Sequence, residues 1–206
     1  MFIFSILATI GKATHGNTED EIRLMKRIQQ READALEELY DLYNRLLFGL
    51  VLSIVKKREE AEDVLQEVFV KIWNKADSFD AESGNPYGWI VTIARNQAID
   101  RIRSKGYKTQ EKQSVSIHEP LFSLEGDQYD PMETTIFSDR AELVHKALEQ
   151  IPDKQCEVIK IAYYKGLTQS EISEYLDIPL GTVKSRTRQG MKKLKNILAE
   201  FISTDG

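Results

Sequence analysis

Apolar residues recur at three- and four-residue intervals through most of the chain, which is the spacing of one face of an α-helix. The repeat is clearest over residues 59–73, where the other face of the predicted helix carries acidic and amide side chains around Val70. A core helix with an ordinary solvated face would show almost the same pattern. An apolar side chain among carboxylates instead indicates a surface that binds another protein. The apolar face consists of Ala61, Val64, Leu65, Val68, Phe69, Ile72 and Trp73, and the polar face of Glu59, Asp63, Gln66 and Glu67.

The same periodicity predicts three further helices in the first half of the chain, over residues 19–30, about 36–55 and 86–103. A loop precedes the last of them, and its aromatic residue Phe79 is expected to be exposed among acidic neighbours. Asn85 followed by Pro86 is a typical helix start, with a capping residue before a proline in the first turn. The helix that follows interleaves basic and apolar residues. Such a face is either a plain amphipathic surface or one that binds phosphates and unstacked bases.

The second half of the chain is predicted to contain four helices. The first is capped by Ser138, and the second starts at Pro152 and ends before Gly166. Residues 168–171 (TQSE) form a capping box that opens a short third helix. A turn over residues 177–179 then leads into a long basic helix over about 181–201. Two helices joined by a tight turn, the second of them basic, are typical of a DNA-binding helix-turn-helix, although a solvated cationic helix is the alternative.

Residues 104–137 differ from both halves, because acids outnumber bases there and prolines and glycines interrupt any periodicity. The predicted fold class is therefore all-α, with two small helical domains joined by a flexible acidic linker. The first domain spans residues 19–103 and the second spans 138–206. Residues 1–18 form an N-terminal tail whose apolar run is too short to cross a bilayer and lacks the basic start of a signal peptide. A membrane anchor is the minor alternative.

Composition narrows the possible functions. The 206 residues carry a net charge of −5, which argues against a general nucleic-acid binder. Two basic clusters, at residues 95–108 and 184–195, nevertheless point to local phosphate contacts. The single cysteine, Cys156, suits a reducing cytosol and is expected to be a core residue.

An enzyme is the least supported class. The histidines His15, His118 and His145 are scattered, and the chain has neither a glycine-rich phosphate loop nor a carboxylate pair beside a nucleophile. No catalytic residue, metal, cofactor or small-molecule substrate is therefore expected.

Three motifs, in this order, resemble those of bacterial RNA polymerase sigma factors of the extracytoplasmic-function group. Residues 60–69 (EAEDVLQEVF) are similar to the helix of the family that binds core polymerase. Residues 89–96 (WIVTIARN) and 98–101 (AIDR) are similar to its −10 element region. Residues 178–186 (IPLGTVKSR) are similar to its −35 element helix-turn-helix. Together the motifs cover nearly all of the chain from about Ile22 to Phe201.

The resemblance implies that residues 19–103 are sigma region 2 and residues 138–206 are sigma region 4. It implies a cytoplasmic factor that gives core polymerase its promoter specificity and assists DNA melting. The clamp of the largest polymerase subunit would contact Asp63, Gln66, Glu67 and Val70. The −10 element would contact Phe79, Asn85, Trp89, Arg95, Asn96, Arg101 and Arg103. The −35 element would contact Thr182, Lys184, Ser185, Arg186, Arg188, Gln189 and Lys192.

The resemblance also implies an inhibitory anti-sigma partner, because members of the family are commonly held inactive by one. At Arg188 the family often has an aromatic or aliphatic residue, so the base preference at this position does not carry over. The rival interpretation is a stand-alone transcriptional regulator that uses only the helix-turn-helix. It leaves the first domain without a role, and no dimer surface for paired half-sites is evident.

Overall fold

The computed structural model describes residues 18–82, 85–104 and 146–204, and the chain divides into two compact units. Residues 18–104 belong to the N-terminal unit and residues 146–204 to the C-terminal unit. All regular secondary structure in the described ranges is helical, as the sequence predicts. The predicted tail and linker lie outside these ranges except at their ends, where Thr18 begins the first helix and Ser104 ends the fourth. No helix among the described residues is both long and apolar enough to cross a membrane.

The N-terminal unit contains four helices. They are α1 (Thr18–Gln29), α2 (Ala33–Val55), α3 (Arg58–Lys75) and α4 (Pro86–Ser104), and a short 3₁₀ turn (Ala76–Ser78) continues from α3. The long helices α2, α3 and α4 each pack against the other two, while α1 packs on α2, α4 and the 3₁₀ turn. The core is therefore enclosed by three helices rather than by a simple pair.

The apolar face predicted for α3 forms part of this core. Ala61, Val64, Leu65, Val68, Phe69 and Ile72 are buried, and Trp73 is half-buried. The helices α2 and α4, which pack on α3, bury side chains such as Leu47, Leu50 and Ile90. Each large apolar side chain buried in this way contributes about 1.5–3 kcal/mol to folding. Packing of this apolar face in the core thus determines that the polar face of α3 points to solvent.

The chain reverses direction between α2 and α3 at a residue with left-handed backbone geometry. Lys56 has φ 64°, and its backbone N–H donates to the carbonyl of Leu52 over 2.9 Å. This bond satisfies one of the carbonyls that the end of α2 leaves open. The interruption of the apolar pattern by Lys56, Lys57 and Arg58 corresponds to this turn.

The C-terminal unit begins, within the described residues, with a helical end at 146–149; the cap predicted at Ser138 lies outside them. It continues with α5 (Asp153–Lys160), which runs into a π-helical turn (Ile161–Lys165), then α6 (Gln169–Leu176) and α7 (Leu180–Thr204). Gly166 has φ 63° and ends the π-helical turn, as predicted. The capping box is also present, because Thr168 and Glu171 each accept the other's backbone N–H. Val158, Ile161, Ile172 and Val183 form the centre of the core.

A close approach of α5 to α7 depends on a glycine that the sequence pattern does not mark. A Cβ built on Gly190 would lie 2.8 Å from Cδ1 of Ile159 and 3.1 Å from Cβ of Gln155. The first distance is shorter than real Cβ contacts and the second is tighter than most of them, so the Ile159 side chain and Gln155 must move if a side chain is added. Gly181, near the start of the same helix, has nothing within 4 Å of its Cβ position.

We predict that Gly190→Ala is less stable than Gly181→Ala by about 1–3 kcal/mol. Both changes remove a helix glycine, which favours the helix by up to about 1 kcal/mol, but only the first overpacks an interface. Urea unfolding of the full chain measures the difference. Equal stability of the two variants would mean that Ile159 and Gln155 can move away from the added methyl group at no cost.

Candidate protein-binding and nucleic-acid-binding surfaces

The polar face of α3 borders an open groove of about 690 Å³ between α3 and α4. Val70 lies in this groove and is 60% exposed, which confirms that its side chain is not part of the core. The other side chains predicted for the polar face, Asp63, Gln66 and Glu67, are exposed beside it. The groove is lined by Asp63, Gln66, Glu67, Val70, Lys71, Asn74, Lys75 and Gln97. An apolar side chain surrounded by charges is accessible to a partner there.

A polar network joins this groove to α4. Nη2 of Arg101 donates to Oε1 of Glu67 over 2.6 Å, and Nε2 of Gln97 donates to Oε2 of the same carboxylate over 2.6 Å. Lys71 donates in turn to Oε1 of Gln97 over 2.6 Å, and Arg101 Nη1 lies 3.9 Å from Oδ2 of Asp63. Side chains that the sequence assigns to two different partners therefore meet. Only 19% of the Arg101 side chain is exposed, so a DNA contact by Arg101 would compete with these carboxylates.

The sequence did not mark Gln97 or Lys71 as parts of this network. A signal was available, because Asp63, Glu67 and Lys71 follow one another at four-residue spacing on α3 and Gln97 and Arg101 do so on α4. What the spacing cannot tell is that the two rows face each other. That follows from the packing of α3 on α4.

Phe79 is buried, and the expectation that it is exposed is wrong. It is 7% exposed, and its ring packs edge-to-face on Trp89 of α4, with 5.7 Å between the ring centroids. The acidic neighbours of Phe79 suggested a solvated loop. Burial of the phenyl ring against an aromatic side chain, however, stabilises the fold by more than the cost of ordering the loop. Trp89 itself is half-buried.

Asn85 caps α4, as the sequence predicts. Its Oδ1 accepts the backbone N–H of Gly88 over 2.8 Å, and the residue is 5% exposed. A DNA contact by this amide, which the family resemblance implies, would require the cap to open. Removal of such a cap typically costs about 1 kcal/mol.

The basic face of α4 is more polar than the sequence suggests. Asn96 and Arg103 are exposed and Arg95 is half-buried, with Arg95 Nη1 donating to Oδ1 of Asn96 over 3.3 Å. Ile99, one of the apolar residues interleaved with the basic ones, is 5% exposed and belongs to the core. Trp89, Asn96 and Arg103 are spaced by seven residues, so they lie along one face at intervals of about 10 Å. An aromatic ring, an amide and a guanidinium thus follow one another along α4.

In the C-terminal unit, α7 presents a polar face to solvent. Lys184, Arg188, Gln189 and Lys192 are exposed, whereas Thr182, Ser185 and Arg186 are half-buried. The amide of Gln189 donates to the hydroxyl of Ser185 over 3.2 Å and accepts from Gln155 of α5 over 3.2 Å. Gln155 was not anticipated from the sequence. It holds the Gln189 side chain, so a base contact by Gln189 would exchange one of these bonds.

A metal-binding centre is not found among residues 18–82, 85–104 and 146–204. No three His, Cys, Asp or Glu side chains in that part of the chain converge on a metal position. Cys156 is buried, and burial raises the pKa of its thiol more than the nearby Lys160 lowers it. A raised pKa disfavours the thiolate and suits the predicted core role.

Comparison with known proteins agrees with the two-unit arrangement. A family model described as sigma-70 region 2 matches residues 39–107, and one described as sigma-70 region 4 matches residues 147–196. The ECF RNA polymerase sigma factor SigK of Mycobacterium sp. (strain JLS) is 31% identical over 184 residues, 88% of this chain and 92% of that protein. SigK of Mycobacterium ulcerans (strain Agy99) is 31% identical over 183 residues, 89% and 96% of the two chains. A solved structure of Rhodobacter sphaeroides SigE in complex with the anti-sigma ChrR is 26% identical, with a TM-score of 0.44, and covers 88% of this chain and 99% of that one.

We predict that Glu67 and Arg101 are coupled by about 0.5–1 kcal/mol in a double-mutant cycle of Glu67→Gln and Arg101→Gln. The coupling should fall in 1 M salt, because screening weakens an exposed pair. Urea unfolding at both salt concentrations measures it. Arg58 and Glu62, an ion pair of 3.0 Å with both side chains more than half exposed, provide the matched control and should couple less. A cycle without coupling would contradict the network.

Proposed function

This chain belongs to the extracytoplasmic-function group of RNA polymerase sigma factors, and we propose how its two units divide the recognition of polymerase and promoter. Members of this group bind core RNA polymerase and direct it to promoters, and the chain initiates transcription in this way. The proposals below assign residues to these contacts. We further propose that it catalyses no reaction, needs no cofactor, acts in the cytoplasm and is held inactive by an anti-sigma protein.

The groove on α3 is proposed to bind the clamp of the largest polymerase subunit. The observation that carries this assignment is the 60% exposure of Val70 among Asp63, Gln66 and Glu67. Protein interfaces place an apolar contact at their centre and charges at the rim. A partner helix with an apolar side chain flanked by basic ones would complement this surface. The basic side chains of Lys71 and Lys75 at the other end of the groove favour acidic residues there.

The face of α4 is proposed to bind the opened strand of the −10 element. Half-buried Trp89 offers a ring on which a displaced base can stack, and exposed Asn96 offers an amide that can pair with a base edge. Arg103 and Arg95 are proposed to bind the strand backbone. Phe79 acts here as the buried support of the Trp89 ring rather than as a stacking surface. We assign Arg101 mainly to the network with Glu67, because a DNA contact by Arg101 would compete with that network.

The exposed face of α7 is proposed to enter the major groove of the −35 element. Arg188 and Gln189 have the side chains that pair with guanine and adenine edges, and Lys184 and Lys192 can neutralise phosphates. Thr182, Ser185 and Arg186, which are half-buried, would contact the DNA from the edges of this face. Support comes from the capped α6 and the Asp177 turn that precede α7, the arrangement of a helix-turn-helix. The net charge of −5 means that polymerase must supply part of the affinity for DNA.

We predict that Val70→Asp weakens the affinity of the chain for core polymerase by about 10- to 100-fold, because it introduces a charge at the apolar centre of the interface. The fold should be retained, since Val70 lies outside the core. A binding titration with bacterial core polymerase, followed by transcription from a promoter library, measures the effect. The matched control is Leu42→Asp, which changes another exposed apolar helix residue away from the groove (41% exposed). Equal affinities for the two variants would move the interface elsewhere.

We predict that Arg188→Ala and Lys192→Ala have different effects on the binding of the reconstituted holoenzyme to −35 sequences. Loss of Arg188 should cost about 1–3 kcal/mol on the preferred −35 sequence and relax the preference at one or two base pairs. Loss of Lys192 should weaken binding to all sequences alike. It should also reduce the slope of log K against log salt concentration by about one, the contribution of one phosphate contact. Binding to a set of −35 variants at two salt concentrations separates these outcomes. A uniform loss with Arg188→Ala would limit this residue to a phosphate contact.

A further inference from the structure

The turn between α1 and α2 is tied to the segment that carries Phe79. Gln29, the last residue of α1, donates through its single amide nitrogen to the backbone carbonyls of Ala76 and of Phe79, each over 3.0 Å. These two carbonyls lie at the two ends of the 3₁₀ turn that follows α3. The Phe79 N–H closes the same segment by donating to the Ala76 carbonyl over 2.9 Å. The Gln29 side chain, which is distant in sequence, thus bridges the two ends of the segment of residues 76–79.

Arg31, from the same α1–α2 turn, holds the neighbouring end of α3. Its guanidinium donates to the backbone carbonyl of Trp73 and to the carboxylate of Asp77, the latter over 2.6 Å. It also lies 5.6 Å from the centre of the Trp73 ring. Arg31 has φ 65°, a left-handed backbone geometry that is uncommon for a residue with a side chain. The α1–α2 turn therefore contacts both the end of α3 and the segment of residues 76–79 that follows it.

Phe79 transmits this attachment to α4. Its backbone carbonyl is held by Gln29, and its ring packs edge-to-face on Trp89. The rotation of the Phe79 ring and the position of its backbone together determine the surface against which Trp89 rests. A loop without the Gln29 bridge would sample more conformations, and the Trp89 ring would lose a constant support.

We infer that Gln29 is a positioning residue for promoter opening, which acts through Phe79 on the ring of Trp89. This inference rests on the function proposed above for Trp89 and Phe79. Gln29 touches neither DNA nor polymerase in this assignment. It keeps the segment of residues 76–79 in the conformation that supports the Trp89 ring, so that the ring is already in place when the strand opens.

The test compares Gln29→Met with Gln30→Met in holoenzyme reconstituted from the full chain and bacterial core polymerase. Methionine keeps the length of the side chain but cannot donate, and Gln30 is the exposed neighbour outside α1. Three quantities are measured: affinity for core polymerase, formation of the open complex on duplex promoter, and binding of a single-stranded −10 oligonucleotide. We expect Gln29→Met to reduce open-complex formation and oligonucleotide binding by about tenfold while affinity for core polymerase is unchanged. Gln30→Met should match the wild type in all three.

A cycle with Phe79→Ala separates this inference from the proposed function. If Gln29 acts through Phe79, then Gln29→Met has no further effect on opening in the Phe79→Ala chain. Normal opening by Gln29→Met together with defective opening by Phe79→Ala would overturn the role of Gln29 alone. Normal opening by Phe79→Ala would overturn the support of Trp89 by Phe79, and the inference with it, whereas normal opening by Trp89→Ala would overturn the proposed −10 site itself. A loss by Gln29→Met that is equal for core polymerase and DNA would mean a purely structural role and would also overturn the inference.

Discussion

The rotation of α3 about its own axis is the constraint on which the N-terminal unit depends. Residues such as Val64, Val68 and Ile72 are fully buried against α2 and α4, and each contributes about 1.5–3 kcal/mol. Turning the helix to bury Val70 would gain one such contribution and lose several. The core therefore outweighs the preference of Val70 for burial. An apolar side chain is kept in the groove beside Asp63 and Glu67, where polymerase is proposed to bind.

Electrostatic contacts have a different part in this unit. The Arg101–Glu67 pair is partly exposed, and pairs of that kind contribute at most about 1 kcal/mol, far less than the core. It does not hold α3 and α4 together. It does decide where the guanidinium and the carboxylate point, through Gln97 and Lys71 as well as through each other. The surfaces proposed for polymerase and for DNA consequently share side chains, and binding at one would change the contacts available at the other.

In the C-terminal unit, backbone geometry orients the helix proposed to read DNA. Gly166 and Asp177 have left-handed geometry at the ends of the π-helical turn and of α6, and Ser173 accepts the N–H of the first residues after α6 through its carbonyl. The Ser173 hydroxyl also donates to the carbonyl of Ile178 over 2.6 Å. These bonds set the angle at which the chain enters α7. Gly190 then allows α5 to approach α7 closely, which leaves the opposite, basic face open.

Periodicity and local hydrogen-bonding chemistry were sufficient to predict the helices of the described residues and several of their ends, and the resemblance of three motifs indicated the family. The apolar face of α3, the Asn85 cap, the Thr168–Glu171 capping box and Gly166 each depend on residues within one or two turns of each other, so the pattern alone predicts them. Other features depend on residues that are distant in sequence or on different helices. They are the burial of Phe79 and Ile99, the contact of Arg101 with Glu67, the bridge from Gln29 to Phe79, and the close approach of α5 to Gly190. Only the tertiary structure decides such contacts, because they depend on how the helices are rotated and how closely they pack. The exposure of Val70 combines both, since its place among acids is visible in the sequence and its position outside the core follows from the packing of the three long helices.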